Sequence, residues 1–170
     1  MDASALFTFS SGLYVVSAND GERTGACLVN TGLQVTSQPL QVAVTVNKQN
    51  YTTDVIKTAG HFSLAVVDET ADMLFIGRFG FRTSANFDKF AGISSDTAMT
   101  GDAYPTEHVC AYVACEVVQT LDVGTHIVFV GRVIDAARLS DAPAMTYAYY
   151  HGTLKGKTPP KASSYVAGLS

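Results

Sequence analysis

The amino-acid sequence predicts a mainly β fold, a small antiparallel barrel carrying two or three short helices. Three observations predict it: short stretches rich in Val, Thr and aromatic residues, turn signals between them, and two long apolar runs separated by Asp122-Val123-Gly124. Gly12 to Ser17 reads as the first strand, and Asn19-Asp20-Gly21 as the turn that ends it. Strands over 24–30, 34–37 and 41–46 follow, with Pro39 breaking the chain at a strand edge. Val109 to Leu121 and Thr125 to Ala137 read as a hairpin. Their apolar residues do not alternate: Val117 and Val118 are adjacent, and so are Ile127 to Val130. Both faces of this hairpin are therefore expected to be buried, as where a barrel wall also meets another subunit.

Two segments have helical spacing. Thr52-Thr53-Asp54 offers cap chemistry, Val55, Ile56 and Ala59 share a face, and Gly60 stands where a helix stops. Over 69–79, Met73, Ile76 and Phe79 recur at helical intervals. The stretch Lys155 to Lys161 holds Gly156, Pro159 and Pro160 and is expected to be an exposed loop.

With 170 residues, 47% of them hydrophobic, the chain is sized for one domain and too apolar for disorder. Only 15% are charged, which points to a surface partly covered by a partner or a second copy. Eleven Lys and Arg against fifteen Asp and Glu give 11 − 15 = −4, the wrong sign for a nucleic-acid binder. Apolar runs such as Leu64 to Val67 and Met73 to Ile76 fall far short of the ~20 residues of a membrane span. Asp2, with no positive region beside it, does not suit a secretory leader. Three cysteines, an odd and sparse set, suit a reducing compartment. A cytoplasmic, soluble protein without a membrane role is expected.

Asn47-Lys48-Gln49-Asn50-Tyr51-Thr52 lies between a strand and a helix start. There a lysine charge, amides, hydroxyls and free helix N–H groups converge, which is equipment for a phosphate. The plainer reading is that Thr52 caps the helix and Lys48 is solvated. His151 to Thr158 is no P-loop, because three residues separate its glycines and Pro159-Pro160 follow where a helix should begin. No metal site is expected. Cys110 and Cys115 are separated by four residues and face opposite ways on a strand, and the histidines lack ligand spacing. There is neither a G-x-S-x-G elbow nor a G-x-G-x-x-G fingerprint, so a reductase on this chain must hold its nicotinamide without a Rossmann domain. His126, opening an apolar strand, reads either as a rim residue or as a catalyst, and Cys27 as a small buried hydrophobe.

Eight windows, in order, resemble the flavin reductase-like family and span about residues 5 to 165. They are Tyr14-Val15-Val16-Ser17, Val29-Asn30-Thr31 with Gln34-Val35-Thr36-Ser37, Val46 to Asn50, Phe75 to Arg82, Asp88-Lys89-Phe90, Asp122 to His126, Met145 to His151, and Lys155 to Pro159. The similarity is strongest to short archaeal and anaerobe members: ferric reductases, flavoredoxins and the flavin domain fused to rubredoxin. It implies a homodimeric FMN-binding split β-barrel, a Greek-key antiparallel barrel with a few short helices, as one domain over 1–170. By that resemblance Lys48, Asn50 and Thr52 contact the FMN phosphate. Asn30, Thr31, Gln34, Val35, Thr36 and Ser37 lie along the ring and ribityl chain, with Cys27 beside them. Arg82 and Lys89 take phosphate or pyridine nucleotide, and His126 faces the nicotinamide or delivers a proton.

The resemblance implies an FMN-dependent NAD(P)H:flavin or ferric reductase. Its electrons would go to free flavin, ferric chelate or a redox protein such as rubredoxin. The alternatives are an FMN electron carrier fed by a partner protein, and a flavin- or haem-binding storage or sensing module on the same barrel. No Rossmann acidic residue or arginine separates NADH from NADPH, so either donor is expected. The sequence departs from the family at Thr24-Gly25, where relatives carry Asn-Gly, and at Pro39-Leu40, where many carry two prolines. After Tyr165-Val166 comes Ala167-Gly168-Leu169-Ser170 and no Cys-x-x-Cys, so the acceptor is expected to be a separate molecule.

Overall fold

In the computed structural model, which describes residues 1–168, a 3-10 turn (Ala3–Thr8) leads into two hairpins. Strands β1 (Tyr14–Asn19) and β2 (Thr24–Val29) form the first, around the expected turn, where Gly21 takes φ 92°. The second joins β3 (Gly32–Ser37) to β4 (Leu40–Asn47). Then come α1 (Tyr51–Ala59), β5 (His61–Val67), α2 (Met73–Gly80), and a small pair, β6 (Ser95–Thr97) with β7 (Ala103–Pro105). The long hairpin β8 (Val109–Asp122) and β9 (His126–Arg138) precedes α3 (Tyr147–Gly152). Seven strands make one antiparallel sheet in the order β2-β1-β5-β8-β9-β4-β3. Its two outermost strands, β2 and β3, are consecutive in the chain and separated by only Asn30 and Thr31.

The mainly β expectation holds, with corrections in detail. Helix α1 is capped by Asn50, not Thr52: the Asn50 Oδ1 accepts from Thr52 N at 3.1 Å, and Thr52 and Thr53 are buried inside the first turn. Val55 and Ile56 enter the core, and Gly60 ends the helix at φ 73°, as its sequence predicts. Helix α2 starts later than position 69, because Asp72 accepts from both Leu74 N and Phe75 N. It buries Phe75, Ile76 and Phe79, while Met73 points outward at 40% exposure. Strand β5, a mere apolar run in the sequence, is central, and packing on both faces removes the alternation that marks a strand.

A bulge explains the adjacent valines of β8. Val117 pairs with Gly131 and Gln119 with Val130, so Val118 is the extra residue. The outer half of β8 is not buried on both faces in the single chain: Val118 is 49% and Leu121 57% exposed. One core cluster joins Leu13, Val15, Phe75, Phe79 and Met145; another joins Val16, Val44, Ile56, Phe62 and Phe129. Gly25 lets α1 approach β2, since a Cβ there would stand 2.9 Å from the Thr52 Cα. Asp102, fully buried, ties the β6–β7 pair to the sheet by accepting from Asn19 N (2.7 Å), His61 Nδ1 (2.9 Å) and Thr100 Oγ1 (2.6 Å). No described helix is long and apolar enough to cross a membrane.

Candidate functional site

Strand β4 ends where β9 begins. Asn47 pairs with His126 and Thr45 with Val128, so the period of two puts all four on one face of the sheet. Thr45, Asn47 and His126 form one wall of a cleft of about 470 Å³, within the size range of small-molecule sites. Leu28 to Asn30 at the end of β2, Phe81 to Thr83 after α2, and Tyr147 and Tyr150 of α3 form the others. Pro159 to Ser163 close the mouth. The segment from 155 is therefore a loop, as expected, but it is folded back over the cleft rather than free in solvent. Arg82 and Lys161 are the cationic residues along the lining, Arg82 with its guanidinium 4.5 Å from the Phe87 ring centroid, and no described carboxylate lines it, although the chain's net charge is −4.

His126 is buried, with both ring nitrogens engaged. Its Nε2 is 3.1 Å from the Lys161 carbonyl oxygen, which can only accept, so Nε2 carries a proton. Nδ1 of the neutral ring then accepts from the Thr125 hydroxyl at 2.8 Å. Asn47 Nδ2 donates to the same Lys161 oxygen at 3.3 Å, while its Oδ1 accepts from Gln49 N at 2.9 Å. Asn30 lines the cleft and meets the tail: its Nδ2 donates to Ser164 Oγ at 2.5 Å and its Oδ1 accepts from Ser163 Oγ at 2.9 Å. Thr31, on the far side of the tail, shares a hydrogen bond with Ser163.

The structure thus brings Asn30, Asn50, Arg82 and His126 into one cleft. It places the other candidates elsewhere. Gln34, Val35, Thr36 and Ser37 run along the edge strand β3, off the cleft wall, with Gln34 Nε2 donating to Thr36 O. Lys48 points away, paired with Asp122 at 2.5 Å. Thr52 lies behind the wall, its hydroxyl fully buried without a hydrogen-bond partner. Cys27 is buried beside it, and burial pushes that thiol up to about 11 against the opposing effects of Lys89, Thr52 and Asn50. Lys89, 3% exposed, donates to Phe79 O at 2.7 Å, and burial lowers its ammonium to about 8. It borders a separate depression that it shares with Thr24, Ala26 and Ser84. Asn47 and Gln49 stood inside the phosphate-like window of the sequence. Phe81, Tyr147 and Tyr150 lay in family-like windows without being singled out as site residues, and Lys161 to Ser163 lay beyond those windows, since their place depends on how the chain returns.

Residues 6–158 match the flavin reductase like domain. The chain belongs to this family. Among its flavin reductase-like relatives is the ferric-chelate reductase (NAD(P)H) of Archaeoglobus fulgidus, 44% identical over 97% of this chain and 98% of that one. The high molecular weight rubredoxin of Moorella thermoacetica is 40% identical over 99% of this chain and 73% of that one. The fold is shared with the FMN-binding protein from Thermus thermophilus at TM-score 0.73, 22% identity and 82% coverage of each chain.

Proposed function

We propose that this flavin reductase-like chain binds FMN in the cleft and works as an NAD(P)H:flavin or ferric reductase. One observation carries the reading: a cleft lined by cationic residues and no described carboxylate, in a net-negative chain, whose amide and imidazole donors face an apolar wall. That set fits FMN. The aromatic and aliphatic side chains suit a flat ring, Asn30 and Asn47 suit its polar edge, and Arg82 suits the phosphate. The buried Thr52 hydroxyl and the Asn50 cap extend polar character toward the α1 start. The similarity to the Archaeoglobus and Moorella proteins supports the same reading.

FMN, when bound, would accept hydride from reduced nicotinamide and pass electrons on. The chain's residues do the rest. Arg82 fixes the phosphate end, with Lys48 reaching it only by leaving Asp122. Asn30 orients the ring edge. His126, held by Thr125 with its Nε2 proton facing the cleft, orients the nicotinamide to the ~3–3.5 Å that transfer requires. The electrons go on to free flavin, a ferric chelate or a redox protein such as rubredoxin. The compartment is the cytoplasm, in keeping with three free cysteines.

The sheet, we further propose, curls into the split barrel of a single domain over 1–170, of which Leu169 and Ser170 lie outside the described residues. Strands β2 and β3 sit at opposite ends of seven strands spaced about 4.8 Å apart, yet two residues join them, which a flat sheet does not allow. The molecule is a homodimer. Leu33, Ala43, Val130 and, one row on, Val128 and Leu121 share the outer face that continues into the cleft, and Leu33 and Leu121 are over half exposed. Gln34 to Ser37 then fall at the subunit boundary.

A second reading, an FMN electron carrier without nicotinamide, is favoured by one observation: Lys161 occupies His126. Titrating flavin-free protein with FMN tests the shared premise. Saturation at one FMN per chain is expected, and no saturable binding would overturn both readings.

A further inference from the structure

Two donors converge on one acceptor at the mouth of the cleft. His126 Nε2 and Asn47 Nδ2 both reach the Lys161 carbonyl oxygen, at 3.1 and 3.3 Å. The two residues face each other across β4 and β9, and each is held from behind, His126 by Thr125 and Asn47 by Gln49 N. The sheet therefore aims both side chains at one point without help from the tail.

The tail's own hold is lighter. Among the described residues beyond Thr158 there is no helix or strand, and Ser163 and Ser164 bond through their side chains to Asn30 and Thr31, between β2 and β3. All are neutral hydrogen bonds, each with a serine that is not itself buried, although Asn30 is 7% exposed. Its base is fixed instead. Tyr147 donates to Thr158 Oγ1 at 3.0 Å, Tyr150 to Lys157 O at 3.1 Å, and the His151 Nδ1 lies 2.8 Å from Gly156 O. The Pro159-Pro160 pair follows directly, and beyond it the hold passes to the Lys161 carbonyl and the two serines.

We infer that residues 159–164 are a displaceable strap whose Lys161 peptide carbonyl occupies a two-donor receptor, His126 with Asn47, built for an amide-type carbonyl on a ligand ring. A peptide C=O has the acceptor chemistry of such a carbonyl, and the strap leaves when the ligand takes its place. The inference rests on the cleft being the flavin site. Two ligand carbonyls share the chemistry, the carboxamide of nicotinamide and the pyrimidine carbonyls of the flavin, and the experiment separates them.

Hydrogen–deuterium exchange over Lys161 to Tyr165 is followed in the full chain, flavin-free with and without FMN, and FMN-loaded with and without NAD⁺ or NADP⁺. Exchange about tenfold faster with FMN makes the flavin the guest; acceleration only with the nucleotide makes it the nicotinamide. Unchanged or slower exchange with both ligands overturns the strap. A Ser163→Ala/Ser164→Ala variant is expected to bind the displacing ligand about fivefold more tightly, and equal or weaker binding contradicts the inference. If neither NADH nor NADPH reduces the FMN-loaded chain while FMN frees the tail, the reductase reading fails and the strap stands. Reduction with an unmoved tail has the reverse meaning.

Discussion

Lys89 Nζ donates to the Phe79 carbonyl oxygen across 2.7 Å, at the C-terminal end of α2. The helix end suits a cation, but burial disfavours one more strongly and brings the ammonium from its ordinary 10.5 to about 8. Between those values the unfolded chain keeps a proton that the folded chain has released, so stability rises with pH across the window, and the penalty is fully felt below it. Lys89→Met is therefore expected to be more stable than wild type at pH 7, by up to roughly 3 kcal/mol at 1.36 kcal/mol per pH unit, less the lost hydrogen bond. The gain fades by pH 10. Cys27, held protonated to about 11, loses stability over 9 to 11, so both chains should carry Cys27→Ala. Urea unfolding at pH 7 and pH 10 checks this, and an advantage that does not shrink would contradict it.

The two cations near the cleft are expected to behave differently. Arg82 lines it, whereas Lys48 is engaged by Asp122, whose carboxyl it holds below the usual range. Arg82→Ala should weaken FMN about tenfold and riboflavin less than twofold, the signature of a phosphate contact. Lys48→Ala should change either by less than twofold. Fluorescence titration with both flavins decides it, and equal losses of FMN and riboflavin in Arg82→Ala would remove Arg82 from the phosphate.

Gly25→Ala drives a Cβ against the Thr52 backbone, which cannot swing aside as a side chain would. A loss of about 1–3 kcal/mol is expected, the usual range for overpacking, together with weaker FMN binding because α1 carries Asn50. Thermal melts and FMN titration report the two effects. An unchanged melting temperature would mean that helix and strand are not held as closely as described.

Leu33→Glu/Leu121→Lys places charge on the outer face of the sheet, both sides of the half-buried Val128 and Val130. Sedimentation should show a dimer for wild type and a monomer for the variant, with weaker flavin retention in the monomer. Two dimers, or two monomers, would count against this face as the subunit contact.

Much of the fold was legible because period and turn chemistry are local. Gly21 and Gly60 sit at positive φ where the sequence places a turn and a helix stop, and six of the strands lie within a few residues of their expected ranges. Strand β5 was hidden because burial on both faces erases alternation, and the bulge at Val118 disguised β8 by shifting its phase. Of the candidate site, Asn30, Asn50, Arg82 and His126 were named by family resemblance and line one cleft. Lys161 was not: a backbone carbonyl has no residue signature, and its place at His126 depends on a return of the chain from far along the sequence. The engagement of Lys48 by Asp122 is likewise a tertiary fact, set by the hairpin tip meeting the start of α1.

The central claim is that nicotinamide reduces FMN in this cleft with His126 as the positioning group. Anaerobic rapid mixing of FMN-loaded wild type and His126→Ala with NADH, then NADPH, tests it most directly. The flavin absorbance should bleach in wild type with at least one donor. In the variant it should bleach ten- to a hundredfold more slowly, with FMN affinity changed less than threefold. A wild-type flavin that stays yellow with both donors, or a variant whose reduction and FMN retention fall together, would contradict it.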